Sequence, residues 1–432
     1  MNIAQKFGDW VWSSADTDPE KSLKRIILGL RLQAFRMKHF APKEMPKAYR
    51  YINDVGLRVV ADALANPEAL AYTNIFTPSE ILECFGLTSV SMECLASYLS
   101  GFFLEDRILD RSEADGISST MCSYHRNFIG AMDQGLMPKP KFAVTTSMVC
   151  DGNISTFRRM EEYYGIKAHV IDVPYTYSKE AEYYVVSQLE DMVRTLEDLT
   201  GKKLDKHELS ERIKRENRTK QYYLDFLKKR RTKAYPNTLT TFLFQLFASH
   251  LNIGTDWAED FFRMMDEEID SYPDSDQIRL FWIHVAPYCQ PTLTSYLNFG
   301  KDVAISGGDF DLDYTERMDP DHPMEAIARK MILNIYNGPH ERKMDAIEQM
   351  VKEFQPDGVV EYTSWGCRQS SGGANLTKQR MLDAGFPMLI LDGDPIDRRN
   401  MQDGQIRTRF EAFLEVLKNE RNEKEQKKLL NT

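Results

Sequence analysis

Of six cysteines in 432 residues, three stand where chemistry is easiest to place. Cys150 closes the run Lys141 to Val149 and is followed by Asp151-Gly152-Asn153. Cys367 closes Val359 to Gly366 and precedes a Gly/Ser-rich turn and a helical pattern from about Leu376. Cys122 lies between the loop Asp115 to Ser119 and a helical pattern from Tyr124 to Met132. A thiol at a strand end or helix start meets unpaired N–H groups. Its pKa is expected to fall, which suits metal ligation and nucleophilic attack alike. Spacing alone favours neither, because no Cys-x-x-Cys pair occurs and sparse, separated cysteines are most simply small buried hydrophobes. Cys84, Cys94 and Cys289 keep that structural reading, and nothing in the count suggests a disulfide scaffold.

The candidate carboxylate is Glu80. Phe76-Thr77-Pro78-Ser79-Glu80-Ile81 spells a helix start running to Gly86, with Thr77 as N-cap, Pro78 first, Glu80 closing a capping box and Phe76 against Ile81. A capping glutamate needs no catalytic role, so both readings of Glu80 stay open. Other chemistries lack their signatures: no Gly-x-Gly-x-x-Gly follows a strand, and Ser370 to Lys378 has the wrong order for a phosphate loop. His-Glu-x-x-His and Gly-x-Ser-x-Gly are also missing.

The elements that must carry these residues alternate. Apolar runs at Phe142-Ala143-Val144, His169 to Val173, Val303-Ala304-Ile305, Gly358-Val359-Val360 and Met388 to Leu391 are each punctuated by Gly, Pro or Asp and followed by a helical pattern. That alternation predicts an α/β fold with parallel sheets. Residues 1–70 read as a helical arm, 71–178 as a first α/β domain, 179–280 as a helical connector and 281–432 as a second α/β domain. Such a length exceeds a single core.

With 42% hydrophobic and 28% charged residues, no apolar run of about 20, and no signal-peptide pattern at Met1 to Ser14, the chain reads as soluble and cytoplasmic, with no membrane partner. Its net charge of −10 argues against nucleic acid, and the basic stretch Arg212 to Lys233 reads as a solvated helix face.

Three segments carry a resemblance. Met121-Cys122-Ser123-Tyr124-His125-Arg126, Met148-Val149-Cys150-Asp151-Gly152-Asn153 and Trp365-Gly366-Cys367-Arg368-Gln369 resemble, in order and context, the cysteine segments of the 2-hydroxyacyl-CoA dehydratase and benzoyl-CoA reductase superfamily. Ile171 to Tyr175, Gly385 to Leu389, Asp392-Gly393-Asp394 and Gln405 to Phe413 resemble its connecting elements. The similarity runs from about residue 71 to the C-terminus. It implies two flavodoxin-like domains with a 4Fe-4S cluster between them, held by Cys122, Cys150 and Cys367. Arg368 and Gln369 would lie beside the cluster or its substrate, and so would Tyr124, His125 and Ser147.

The activity implied is radical dehydration of an (R)-2-hydroxyacyl-CoA to a 2-enoyl-CoA through a ketyl radical. Two partners come with it: a homologous cluster-bearing subunit and an ATP-hydrolysing iron-sulfur activator. Glu80 would match the family's Pro-x-Glu-Leu segment, with Ile81 in place of Leu, and handle a proton or hold the acyl-CoA hydroxyl. Length and the N-terminal helices look like the larger, alpha subunit. An aryl-CoA reductase subunit or a double-cubane cluster protein would share the same cysteine layout, and nothing in the sequence names the acyl group.

Overall fold

Two four-stranded sheets, parallel throughout, organise the chain. The structure is a computed structural model and describes residues 2–430. In the first sheet β1 (Leu70–Thr73), β2 (Thr88–Ser91), β3 (Phe142–Thr146) and β4 (His169–Ile171) lie in the order β2-β1-β3-β4. In the second, β5 (Ile278–Ile283), β6 (Val303–Gly308), β7 (Gly358–Ser364) and β8 (Met388–Gly393) lie in the order β6-β5-β7-β8. The two sheets share one topology, although the sequence shows no internal repeat.

In each sheet the chain runs outward on one side of its first strand and then crosses to the other. The switch point is β1/β3 in one and β5/β7 in the other, where parallel sheets open a crevice at their carboxyl ends. Cys150 follows β3 and Cys367 follows β7. Both faces of the second sheet are covered, as a parallel sheet requires. Phe281, Ile283 and Val359 point into the main core, while Leu280, Trp282, Val360 and Tyr362 pack in a second cluster with Phe410, Leu414 and Leu417 of the last helix, Asp403–Leu430.

Helices Ile3–Trp12, Pro19–Phe40 and Lys47–Ala65 precede the first sheet. Lys179–Thr200, Lys206–Arg230, Leu239–His250 and Asp256–Glu268 lie between the sheets in sequence. No described helix is long and apolar enough to cross a membrane.

Several local expectations change. β1, β2 and β5 lie where the sequence showed no strand. Leu-Ala-Tyr-Thr and Thr-Ser-Val-Ser are short, and buried parallel strands carry no alternation to betray them. The helix at Glu80 spans only Ser79–Cys84, with Pro78 at its N-cap and no capping bond. Thr77 Oγ1 instead donates to Asn74 Oδ1 (2.6 Å), so the capping box is absent. The basic helix is not simply a solvated face either, since Glu216, Lys220 and Arg230 are buried.

Candidate functional site: a three-cysteine cavity

Cys122, Cys150 and Cys367 come from three distant stretches of chain and line one cavity of about 700 Å³, part of it open to solvent. Each is the N-cap residue of a helix: Ser123–Asp133, Asp151–Tyr164 and the short Arg368–Ser371. The two halves are fastened where they meet here. Ser123 Oγ donates to Asp394 Oδ1 (2.5 Å) in the loop after β8. The fully buried Arg126 donates to Met121 O (2.9 Å), Glu113 Oε1 (2.5 Å) and Asp397 Oδ2 (3.2 Å). Gly366, at φ 76°, lies so close to the backbone of Thr120 to Cys122 that a Cβ would come within 2.8 Å of Cys122 N and Thr120 O. Absence of a side chain at 366 thus brings the Cys367 loop onto the Cys122 loop.

The thiols do not behave as helix N-termini alone would dictate. Burial pushes Cys122 well above its usual range, helped by the proximity of Cys367 and Cys150. Burial and Cys367 raise Cys150 to about 11, against the opposing N–H groups of Gly152 and Asn153. The expected lowering is therefore overturned for these two, because desolvation of the thiolate outweighs the N–H dipoles. A bound cation reverses that balance, since metal ligation displaces the thiol proton.

Two imidazoles touch the thiols. His125 Nε2 lies 3.4 Å from Cys150 Sγ, and its Nδ1 lies 2.9 Å from Thr156 Oγ1. His284 Nε2 lies 3.7 Å from Cys367 Sγ. Burial lowers His125 to about 4; burial and Lys343 lower His284 to about 3. Both rings are neutral at ordinary pH and can present an N–H to sulfur. Backbone strain gathers beside the same thiols: Val149 has φ 68° and His284 φ 72°, the latter held by its N–H donating to Asp309 Oδ1 (2.7 Å).

The carboxyl in this cavity is Glu93, which the sequence did not single out. It lies in the first turn of helix Met92–Gly101, capped by Ser91, where a glutamate ordinarily serves the helix dipole. Its Oε2 is buried with no hydrogen-bond partner among the described residues. Burial lifts the group to about 7, against nearby N–H groups and the Ser91 hydroxyl. Tyr124 Oη, Asn153 Oδ1 and Ser364 Oγ, on other residues of the lining, are likewise buried without partners.

Glu80 is not among the residues lining the cavity. It pairs with Lys330 Nζ, which also reaches Glu216 (3.2 Å). Burial lifts Glu80 to about 7, with Lys330 opposing, whereas Glu216 is held low by Lys330 and Lys220 despite its burial. Arg368 is exposed and lies 3.6 Å from the exposed Asp151. Ser147 Oγ accepts from Val173 N (2.8 Å), a structural bond. Cys84 Sγ donates to Glu80 O (3.2 Å), Cys289 Sγ to Pro395 O (3.0 Å), and Cys94 is buried in the core.

Comparison with known proteins shows the family to which the chain belongs. The family model described as "2-hydroxyglutaryl-CoA dehydratase, D-component" matches residues 74–417. The chain is 24% identical to the (R)-phenyllactyl-CoA dehydratase alpha subunit of Clostridium sporogenes, over 88% of this chain and 98% of that one. It is 21% identical to the lactoyl-CoA dehydratase alpha subunit of Anaerotignum propionicum, over 82% and 92%. It is 22% identical to one of the benzoyl-CoA reductase subunits of Thauera aromatica, over 73% and 80%.

Proposed function

Because the chain belongs to the 2-hydroxyglutaryl-CoA dehydratase D-component family, we propose that it is the alpha subunit of a radical (R)-2-hydroxyacyl-CoA dehydratase whose Cys122, Cys150 and Cys367 hold a 4Fe-4S cluster. The observation that carries this reading is the meeting of three helix-capping cysteines around one cavity that also contains a buried carboxyl.

The donor set suits such a cluster. Among the described residues, no three His, Cys, Asp or Glu side chains gather as a lone metal ion needs. Three thiols spread around a cavity instead suit a polynuclear body whose irons take one thiolate each and leave one iron open. When bound, the cluster supplies one low-potential electron to the thioester, which is what makes an unactivated C3–H acidic enough to lose its proton.

The chain's own side chains do the remaining work. Glu93 starts protonated and gives its proton to the departing hydroxide, and the carboxylate so formed then takes the C3 proton, which restores the group; a position near 7 matches both roles. The Tyr124 hydroxyl, kept protonated by burial, donates to a substrate oxygen. The apolar residues of the cavity keep water from the reacting carbons.

A homologous second subunit and an ATP-hydrolysing iron-sulfur activator accompany this activity. The test is an anaerobic assay of the chain with its partner subunit and the activator, following conversion of 2-hydroxyacyl-CoA to 2-enoyl-CoA. Catalytic water loss that disappears in Cys122→Ser supports the assignment. Iron-loaded protein that reduces an aryl-CoA ring and dehydrates nothing would replace it with a reductase.

A further inference from the structure

The cavity's polar and hydrocarbon groups come from different parts of the fold. Glu93 and the cysteine-bearing segments supply the unpartnered oxygens, whereas helix Leu239–His250 contributes Leu243, Leu246 and Phe247, joined by Phe76, Val285 and Phe310. Leu243, Leu246, Val285 and Phe310 also line an adjoining space closed by Phe242 and Trp282. A ligand that satisfies both kinds of wall carries its reacting oxygens at one end and hydrocarbon at the other.

Charge narrows the choice further. Among the described residues, no Lys or Arg lines either space, and the ionisable groups that do are Glu93, Asp311, Tyr124, the thiols and the two neutral imidazoles. Buried cations elsewhere in the fold are engaged: Lys330 by Glu80 and Glu216, and Lys343 by Asp309 at 3.4 Å. A second carboxylate on the acyl chain would leave water for a site with no cation to pair it and with Glu93 in the same lining.

We propose that this site takes 2-hydroxyacyl groups whose side chain is uncharged hydrocarbon, branched aliphatic or aromatic, and refuses those ending in a carboxylate. The proposal rests on the acyl-CoA dehydratase reading and narrows it to a substrate class. Discrimination against the carboxylate should be at least about 100-fold, because no described Lys or Arg lines the pocket to pair the charge and Glu93 shares the lining. Shortening the hydrocarbon should weaken binding by roughly fourfold per methylene.

The test uses the chain with its partner subunit and compares two readouts. One is kcat/KM, with the activator, for 2-hydroxy-4-methylpentanoyl-CoA, 2-hydroxy-3-phenylpropanoyl-CoA and 2-hydroxyglutaryl-CoA. The other is calorimetric binding of 4-methylpentanoyl-CoA and glutaryl-CoA, which needs no turnover. A preference of about 100-fold for the hydrocarbon members in binding is the expected result, and binding within tenfold of each other overturns the proposal. If that binding preference holds but no 2-hydroxyacyl-CoA is dehydrated, the pocket assignment stands and the dehydratase reading fails; if no acyl-CoA binds, both fail. Leu246→Lys should shrink the preference at least tenfold, and an unchanged ratio in folded variant would remove Leu246 from the acyl pocket and overturn the assignment. Where that variant does not fold, the wild-type ranking decides.

Discussion

Replacing Gly366 by alanine isolates the contact that brings the two halves of the site together. Two separate costs are expected. The first is backbone: at φ 76° an alanine is strained by about 1 kcal/mol or slightly more. The second is contact: the new methyl would lie 2.8 Å from Cys122 N and Thr120 O and 2.9 Å from Met121 C, all backbone atoms that cannot swing aside. Relief requires the Cys367 and Cys122 loops to part by several tenths of an ångström, an overpacking cost of about 1–3 kcal/mol.

Gly385 provides the control, because it has φ 85° and nothing within 4 Å of a Cβ, so Gly385→Ala carries the strain without the contact. The difference between the variants should fall on the cysteine site, weakening iron retention by about 5- to 150-fold for 1–3 kcal/mol. The assay is anaerobic iron content under graded chelator, beside thermal unfolding of both variants. If Gly366→Ala keeps its iron as well as Gly385→Ala does, the close approach of the loops does not hold the thiols together and the reasoning is wrong.

Three further outcomes follow from the buried charges. Glu93→Gln should keep its iron while kcat falls by about 10²–10⁴-fold and the limb of the pH–rate profile near 7 disappears; loss of iron, or a limb that persists, would assign the proton transfer elsewhere. Glu361 is buried in β7 with Oε2 unpartnered, and burial raises it to about 7, with Lys343 opposing and Asp309 reinforcing. A folded pKa above the ordinary 4.5 means its contribution is whole below that value and is lost as pH rises through about 7. Glu361→Gln should therefore gain stability relative to wild type between pH 5 and 8, read as a rising difference in melting temperature; a constant difference would contradict the shift. Lys330→Met leaves Glu80 and Glu216 buried without their shared cation and should cost about 3–5 kcal/mol in urea unfolding, partly recovered by adding Glu80→Gln. A cost below about 1 kcal/mol would show that the network is solvated.

How far the sequence reveals this site depends on which residues announce themselves locally. Cys150 and Cys367 are legible because each ends an apolar run and meets Gly or Asp at a turn, the pattern of a strand end at a parallel-sheet crevice. Cys122 is legible through the helical pattern after it. Glu93 is not, because a glutamate two residues beyond a capping serine looks like any first-turn helix residue, and only tertiary packing buries it. His284 is silent as well: its positive φ and contact with Cys367 arise at the end of β5, where the sequence showed no strand. At Glu80 the local signal pointed to a cap, and a long-range partner, Lys330, takes the carboxylate instead. Parallel pairing hid β1 and β2 in the same way, since their partners are set by crossovers rather than by adjacent turns.

Iron and acid-labile sulfide, measured on anaerobically purified protein beside single Cys122→Ser, Cys150→Ser and Cys367→Ser variants, test the central claim most directly. The account predicts roughly four irons and four sulfides per chain, lost or sharply reduced in each variant. Folded wild-type protein that takes up no iron on anaerobic reconstitution would contradict it and leave the three thiols as parts of the core.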